Sequence, residues 1–187
     1  RKRSYLIGLE GKKVASEIVT IVDDPLIDYG INSRSADGEG TPCSKFTIIE
    51  NGVLKSYLYS SYTANKVRVK PTGHGNRDGN TSTSNIIPKL GTKTAAEIIA
   101  DTKNGIYINS RGLNANMITG DVSDTIDFGI RIENGELAYP VQSSMIGGNI
   151  LDILKNIDAV SSDYRGNQPG IVMPTIRIDD VLVAGAE

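Results

Sequence analysis

The word Ile-Glu-Asn-Gly-x-Leu occurs twice in this chain, each time between runs that favour extended backbone. The copies are Ile49-Glu50-Asn51-Gly52-Val53-Leu54 and Ile132-Glu133-Asn134-Gly135-Glu136-Leu137. Asn-Gly accepts the positive φ angles of a type I′ turn, whose twist suits the two strands it joins. The first copy predicts a hairpin with arms at 46–50 and 53–59. The second predicts arms at 126–133 and 136–139. There Ile126, Phe128, Ile130 and Ile132 alternate with Asp127, Gly129, Arg131 and Glu133, the pattern of a strand with one buried and one wet face. Convergence on a good turn explains the shared word more simply than internal duplication, because short words recur by chance. Duplication is the alternative.

Further strands follow from short β-branched runs punctuated by turn residues. One is expected at 17–22, ended by Asp23-Asp24-Pro25, because Pro25 cannot donate to a ladder. A third hairpin is expected around Asp179-Asp180, with arms at 175–178 and 181–183. Two helices stand out. Thr94-Ala95-Ala96-Glu97 reads as a capping box, opening a helix that runs to about 103 and stops at Asn104-Gly105. Ile146, Ile150, Leu154 and Ile157 form one stripe and predict a helix over 145–157, with Gly147-Gly148 near its start. The expected fold is α+β and strand-dominated: antiparallel sheets in a barrel-like body, with several hairpins and two main helices. The length of 187 residues suits one domain.

Charge and composition narrow the function. Twenty Lys and Arg against 22 Asp and Glu give a net charge of −2, which argues against nucleic acid as a direct partner. No apolar run is long enough to span a membrane. A single cysteine, Cys43, fits a reducing compartment. A single histidine, His74, cannot supply a His-rich zinc site, which needs three protein ligands. The stretch 70–85 is polar, Gly-rich and aperiodic, and a loop of that length is functional or disordered. It has no Gly-Lys-Ser/Thr to make a P-loop. Within it, His74 either orders the loop or touches a substrate. Arg77 and Lys70 either hold an anion or are simply solvated. Asp121, Asp124 and Asp127 lack the spacing of a calcium loop and suit turns. Cys43 reads as a small, half-buried residue.

Several words, taken in order, carry a resemblance. They include Val22-Asp23-Asp24-Pro25, Asp37-Gly38-Glu39-Gly40-Thr41-Pro42, both Ile-Glu-Asn-Gly copies and Ser61-Tyr62-Thr63-Ala64-Asn65-Lys66. Pro71-Thr72-Gly73-His74-Gly75, Gly147-Gly148-Asn149-Ile150-Leu151 and Pro174-Thr175-Ile176-Arg177-Ile178 complete the series. The chain resembles the C-terminal domain of the TldD/TldE (PmbA) family, long labelled modulator of DNA gyrase. The resemblance implies a single β-rich domain over 1–187, belonging to a longer subunit of a cytoplasmic zinc metallopeptidase that processes unfolded or modified peptides. TldD-type subunits carry a His-Glu-x-x-x-His motif in the N-terminal domain and a cysteine near the C-terminal end. Between Asn156 and Pro174 this chain has Asp163-Tyr164-Arg165-Gly166-Asn167-Gln168-Pro169 and no cysteine. It therefore looks like the TldE/PmbA type, with no catalytic or metal residue of its own and zinc expected on a TldD-like partner or an absent upstream domain. The implied partners are a TldD-like subunit or a second copy, and a peptide. The substrate-contact candidates are Thr72, Gly73, His74, Gly75 and Arg77 in the loop, and Gly147, Gly148 and Asn149. Two other readings stay open: a catalytic TldD-like protein whose zinc motif lies upstream, and a stand-alone binding domain.

Overall fold

The computed structural model describes residues 4–109, 113–164 and 170–185. In chain order they form β1 (Ile21–Asp23), β2 (Phe46–Glu50), β3 (Val53–Leu54), α1 (Ser61–Val67), β4 (Ile86–Pro88), α2 (Ala95–Ala100) and β5 (Asn104–Ile108). Then come β6 (Asp121–Ile126), β7 (Gly129–Glu133), β8 (Glu136–Val141), β9 (Ser144–Asn149), α3 (Ile150–Lys155), β10 (Ile157–Tyr164), β11 (Pro174–Ile178) and β12 (Leu182–Ala184). The strands pair antiparallel in four small sheets, ordered β3-β2-β1-β4, β5-β7-β8, β12-β9-β6 and β10-β11. The fold is α+β and mostly strand, as the patterning predicts. Among the described residues the sheets do not close into a barrel.

Both Asn-Gly words make the turns expected of them. Asn51 and Asn134 have φ of 48° and 52°, and Gly52 and Gly135 have φ of 78° and 85°. The two turns also dock alike. Gly52 N–H donates to Val19 O (2.8 Å) and Gly135 N–H to Thr102 O (2.9 Å), in each case two residues before the start of the neighbouring strand. A Cβ on either glycine would lie 2.3 Å from a backbone oxygen, that of Ala15 or Ala100. Glycine is thus required twice over, by φ and by contact. The likeness stops at the strands: Ile21 pairs with Ile49, whereas Gly105 rather than Asn104 pairs with Ile132.

Several sequence expectations are corrected. The strand expected at 126–133 is two strands in different sheets, turning at Asp127-Phe128, and Gly129 lets the corner pack closely on Ile126 and Ile106. The helix expected at 145–157 is strand β9 followed by the six-residue α3. Its first half pairs with β6 and β12, and Gly147 and Gly148 are poor helix formers. Ile146 and Ile153 nonetheless enter one buried cluster with Val122 and Ile126. The closing hairpin does not form: β11 pairs with β10 and β12 with β9, so Asp179-Asp180 joins two sheets. The N-terminal strand is only Ile21–Asp23. The capping box is present, with Thr94 Oγ1 and Glu97 exchanging bonds, but α2 ends at Ala100 and Asn104-Gly105 opens β5. The second arm of the first hairpin is the two-residue β3. Helix α1 carries no clear sequence signal, because five of its seven residues, Ser61, Tyr62, Thr63, Asn65 and Val67, are weak helix formers; Ser60 caps it from outside.

Candidate functional site

The loop expected to be functional is tied into a buried polar knot. Its centre is the carboxylate of Asp23, the last residue of β1 and fully buried. His74 Nε2 lies 2.9 Å from Asp23 Oδ2, and since a carboxylate only accepts, the imidazole donates. Ser84 donates its N–H to both Asp23 oxygens, at 3.0 and 2.8 Å, and its hydroxyl to Oδ1. The other ring nitrogen of His74, Nδ1, lies 3.0 Å from Thr72 Oγ1. That hydroxyl in turn accepts from Tyr59 N–H at 2.8 Å. Phe46 meets the imidazole edge-on, with ring centroids 5.2 Å apart. Burial alone would push the Asp23 carboxyl up. The hydrogen bonds from His74 and Ser84 outweigh it and hold the group below the ordinary carboxylate range.

A second buried carboxylate locks the neighbouring loop to the first. Asp37 Oδ1 accepts from the N–H groups of Glu39 (2.9 Å) and Thr41 (2.8 Å), and Oδ2 accepts from Gly75 N–H (2.8 Å). Gly38 N–H donates to Gly75 O at 2.8 Å. Glu39 reaches across to accept from Ser61 N–H, 2.7 Å away at the start of α1. The Cys43 thiol donates to Gly73 O at 3.1 Å and is buried. The sequence words Asp37–Pro42, Ser61–Lys66 and Pro71–Gly75, distant in the chain, therefore meet in one place. Taken one by one, these words do not reveal Asp23, Asp37 and Ser84 as a unit; the available signal was polar residues beside glycines in two of them.

The predicted contact residues divide by exposure. Gly73, His74 and Gly75 are buried, Thr72 is half-buried and Arg77 is exposed on the same loop. Gly147, Gly148 and Asn149 end strand β9, and Gly148 is exposed. Asn149 caps α3 by accepting from Leu151 N–H at 3.1 Å. Asp121 and Asp124 lie on β6, and Asp124 accepts from Asn114 through its backbone N–H (3.1 Å) and side-chain amide (3.2 Å).

Zinc, which the resemblance implies for the enzyme, is not matched by the donors described. Among the described residues no three His, Cys, Asp or Glu side chains group as a metal set. Both nitrogens of His74 are engaged by Asp23 and Thr72, and the thiol of Cys43 points at a carbonyl. Residues 165–169, in the stretch where a TldD-type cysteine is expected, lie outside the described residues.

Comparison with known proteins gives one answer. The family model described as the PmbA/TldA metallopeptidase C-terminal domain matches residues 1–185. A metalloprotease of Methanothermobacter thermautotrophicus is 40% identical over 167 residues, covering 87% of this chain and 37% of that protein. Among solved structures, a Thermotoga maritima protein described as a modulator of DNA gyrase superposes with a TM-score of 0.88 at 33% identity, over 98% of this chain and 43% of that one. TldE from Thermococcus kodakarensis superposes with a TM-score of 0.86 at 28% identity, over 97% of this chain and 43% of that one. The chain thus spans less than half the length of each of these relatives. With matches to its sequence, its family model and its fold in agreement, the chain belongs to the PmbA/TldD family.

Proposed function

We propose that this chain is the non-catalytic C-terminal body of a TldE/PmbA-like subunit in a cytoplasmic zinc metallopeptidase that processes unfolded or modified peptides. The carrying observation is the state of its best metal-binding side chains. His74 is buried with both ring nitrogens engaged, and it fastens a loop rather than presenting a donor. In this reading zinc sits on a TldD-like partner, where it activates water for peptide hydrolysis. This chain's residues build a wall beside it. The Asp23–His74–Ser84 knot and the Asp37 clamp hold the 72–84 loop in shape, so that Arg77 stands at its exposed side where a peptide carboxylate or carbonyl can be met. Gly148, exposed at the end of β9, offers a second contact where backbone can approach closely.

The test is peptide turnover by the full-length protein alone, by a TldD-like partner alone and by the two together. Turnover that requires the mixture supports the reading. Turnover by the full-length protein alone supports the alternative, a catalytic TldD-like chain with its zinc motif elsewhere in the polypeptide. Indifference of the partner to this protein favours a stand-alone binding domain.

A further inference from the structure

A cleft of about 940 Å³ opens beside β5 and β11. Every residue of both strands lines it. The cleft follows both strands along their whole length and also reaches Arg131 and Ile132 of β7. Both edges are free among the described residues: β5 pairs only with β7, and β11 only with β10. The register says which backbone groups face the opening. Asn134 N–H donates to Lys103 O at 2.7 Å, and Gly105 and Tyr107 lie opposite Ile132 and Ile130. In an antiparallel pair the inward groups alternate, so Lys103, Gly105 and Tyr107 bond to β7. The N–H and C=O groups of Asn104, Ile106 and Ile108 then point away from β7, along the cleft. Ile106 and Ile108 are half-buried, and backbone groups so placed need partners. Arg131, which also lines the cleft, has its Nε buried with no hydrogen-bond partner among the described residues. The remaining lining is mostly apolar, including Ile98, Ile146, Met173 and Val183.

We propose that this cleft is a strand slot, filled in the full-length protein by an extended, mainly apolar segment of its own polypeptide from outside these 187 residues. Such a segment would bond to β5 and β11 and bring a carbonyl or carboxylate to Arg131. The chain accounts for only 37–43% of the relatives it matches, so each of them carries more than its own length of further polypeptide to be seated. A tethered segment binds in an intramolecular step, which favours it over a free peptide of equal intrinsic affinity. The other edge of the same sheet is less receptive, because Pro140 in β8 removes a donor.

The test places a photo-crosslinking benzoylphenylalanine at Tyr107, and separately at Ile176, in the full-length protein. Irradiation is done on a mixture of ¹⁴N- and ¹⁵N-labelled copies. The expected products are same-isotope cross-links to peptides outside the 187 residues. Cross-links confined to the 187 residues, mixed-isotope or partner-subunit cross-links, or no cross-links at all would each overturn the proposal. Hydrogen exchange on the unmodified full-length protein gives an independent reading. The amides of Ile106 and Ile108 should exchange at least about a hundredfold more slowly than in an unstructured peptide; free-peptide rates there would also overturn it.

Discussion

Replacing His74 by alanine should destabilise the protein strongly without touching any exposed surface. The imidazole is 2% exposed and the carboxylate it serves is wholly buried. After His74→Ala, Asp23 keeps its bonds from Ser84, one of them at Oδ2, but loses the imidazole donor, and the edge-on contact with Phe46 becomes a cavity. Losing a hydrogen bond to a buried charged group costs about 1.5–3 kcal/mol, and removing one member of a buried pair costs about 3–5 kcal/mol. Because Ser84 remains, a value near the overlap, about 3 kcal/mol, is expected. For a chain of this size that lowers Tm by about 6–12 °C. The assay is thermal or urea unfolding of wild type, H74A, D23N and the double variant. The double should lose clearly less than the two singles added, since each removes the same interaction. A loss below about 0.5 kcal/mol for H74A, or strict additivity in the cycle, would show that the knot does not hold the loop. The pH dependence follows from Asp23. Its carboxyl is depressed in the fold, so its contribution is complete above the unfolded value near 3.8 and fades as pH falls through the lower folded value. D23N should therefore flatten the acid limb of the stability curve and leave its neutral region flat.

Four further outcomes are expected. Gly52→Ala and Gly135→Ala should each cost at least about 2 kcal/mol in unfolding, because strained φ adds to a collision with a backbone oxygen. Gly40→Ala, with φ of 83° and open space around it, should cost only about 1 kcal/mol and so isolates the collision. Asp37→Ala should lose about 2–3 kcal/mol and speed proteolysis of the 72–84 loop, since three N–H groups lose their acceptor. Arg77→Ala should change the unfolding free energy by no more than about 0.5 kcal/mol yet reduce peptide turnover by the assembled subunits; unchanged turnover would remove Arg77 from the peptide-binding wall.

What could be read from the sequence was local. Asn51-Gly52, Asn134-Gly135 and the Thr94–Glu97 box encode their geometry within four residues, and each forms as read. What failed depended on distant partners. Ile146 has the spacing of a helix stripe, yet β6 and β12 claim it as a strand, and pairing across the sheet overrides helical periodicity. Asp179-Asp180 is a plausible tight turn, but its flanking strands find better partners in β10 and β9. The knot was illegible for the same reason. His74 looked like a loop residue because its partner, Asp23, lies 51 positions away. Its glycine neighbours, which suggested a substrate loop, let Cys43 and Asp37 reach the backbone of that loop.

The proposed division of labour has this protein wall the site while a TldD-like subunit holds the metal. Zinc content measured on each full-length subunit after reconstitution and separation tests it most directly. Zinc is expected in one-to-one ratio on the TldD-like partner, with none above background on this protein. Stoichiometric zinc on this protein would contradict it and move the catalytic centre into its own polypeptide.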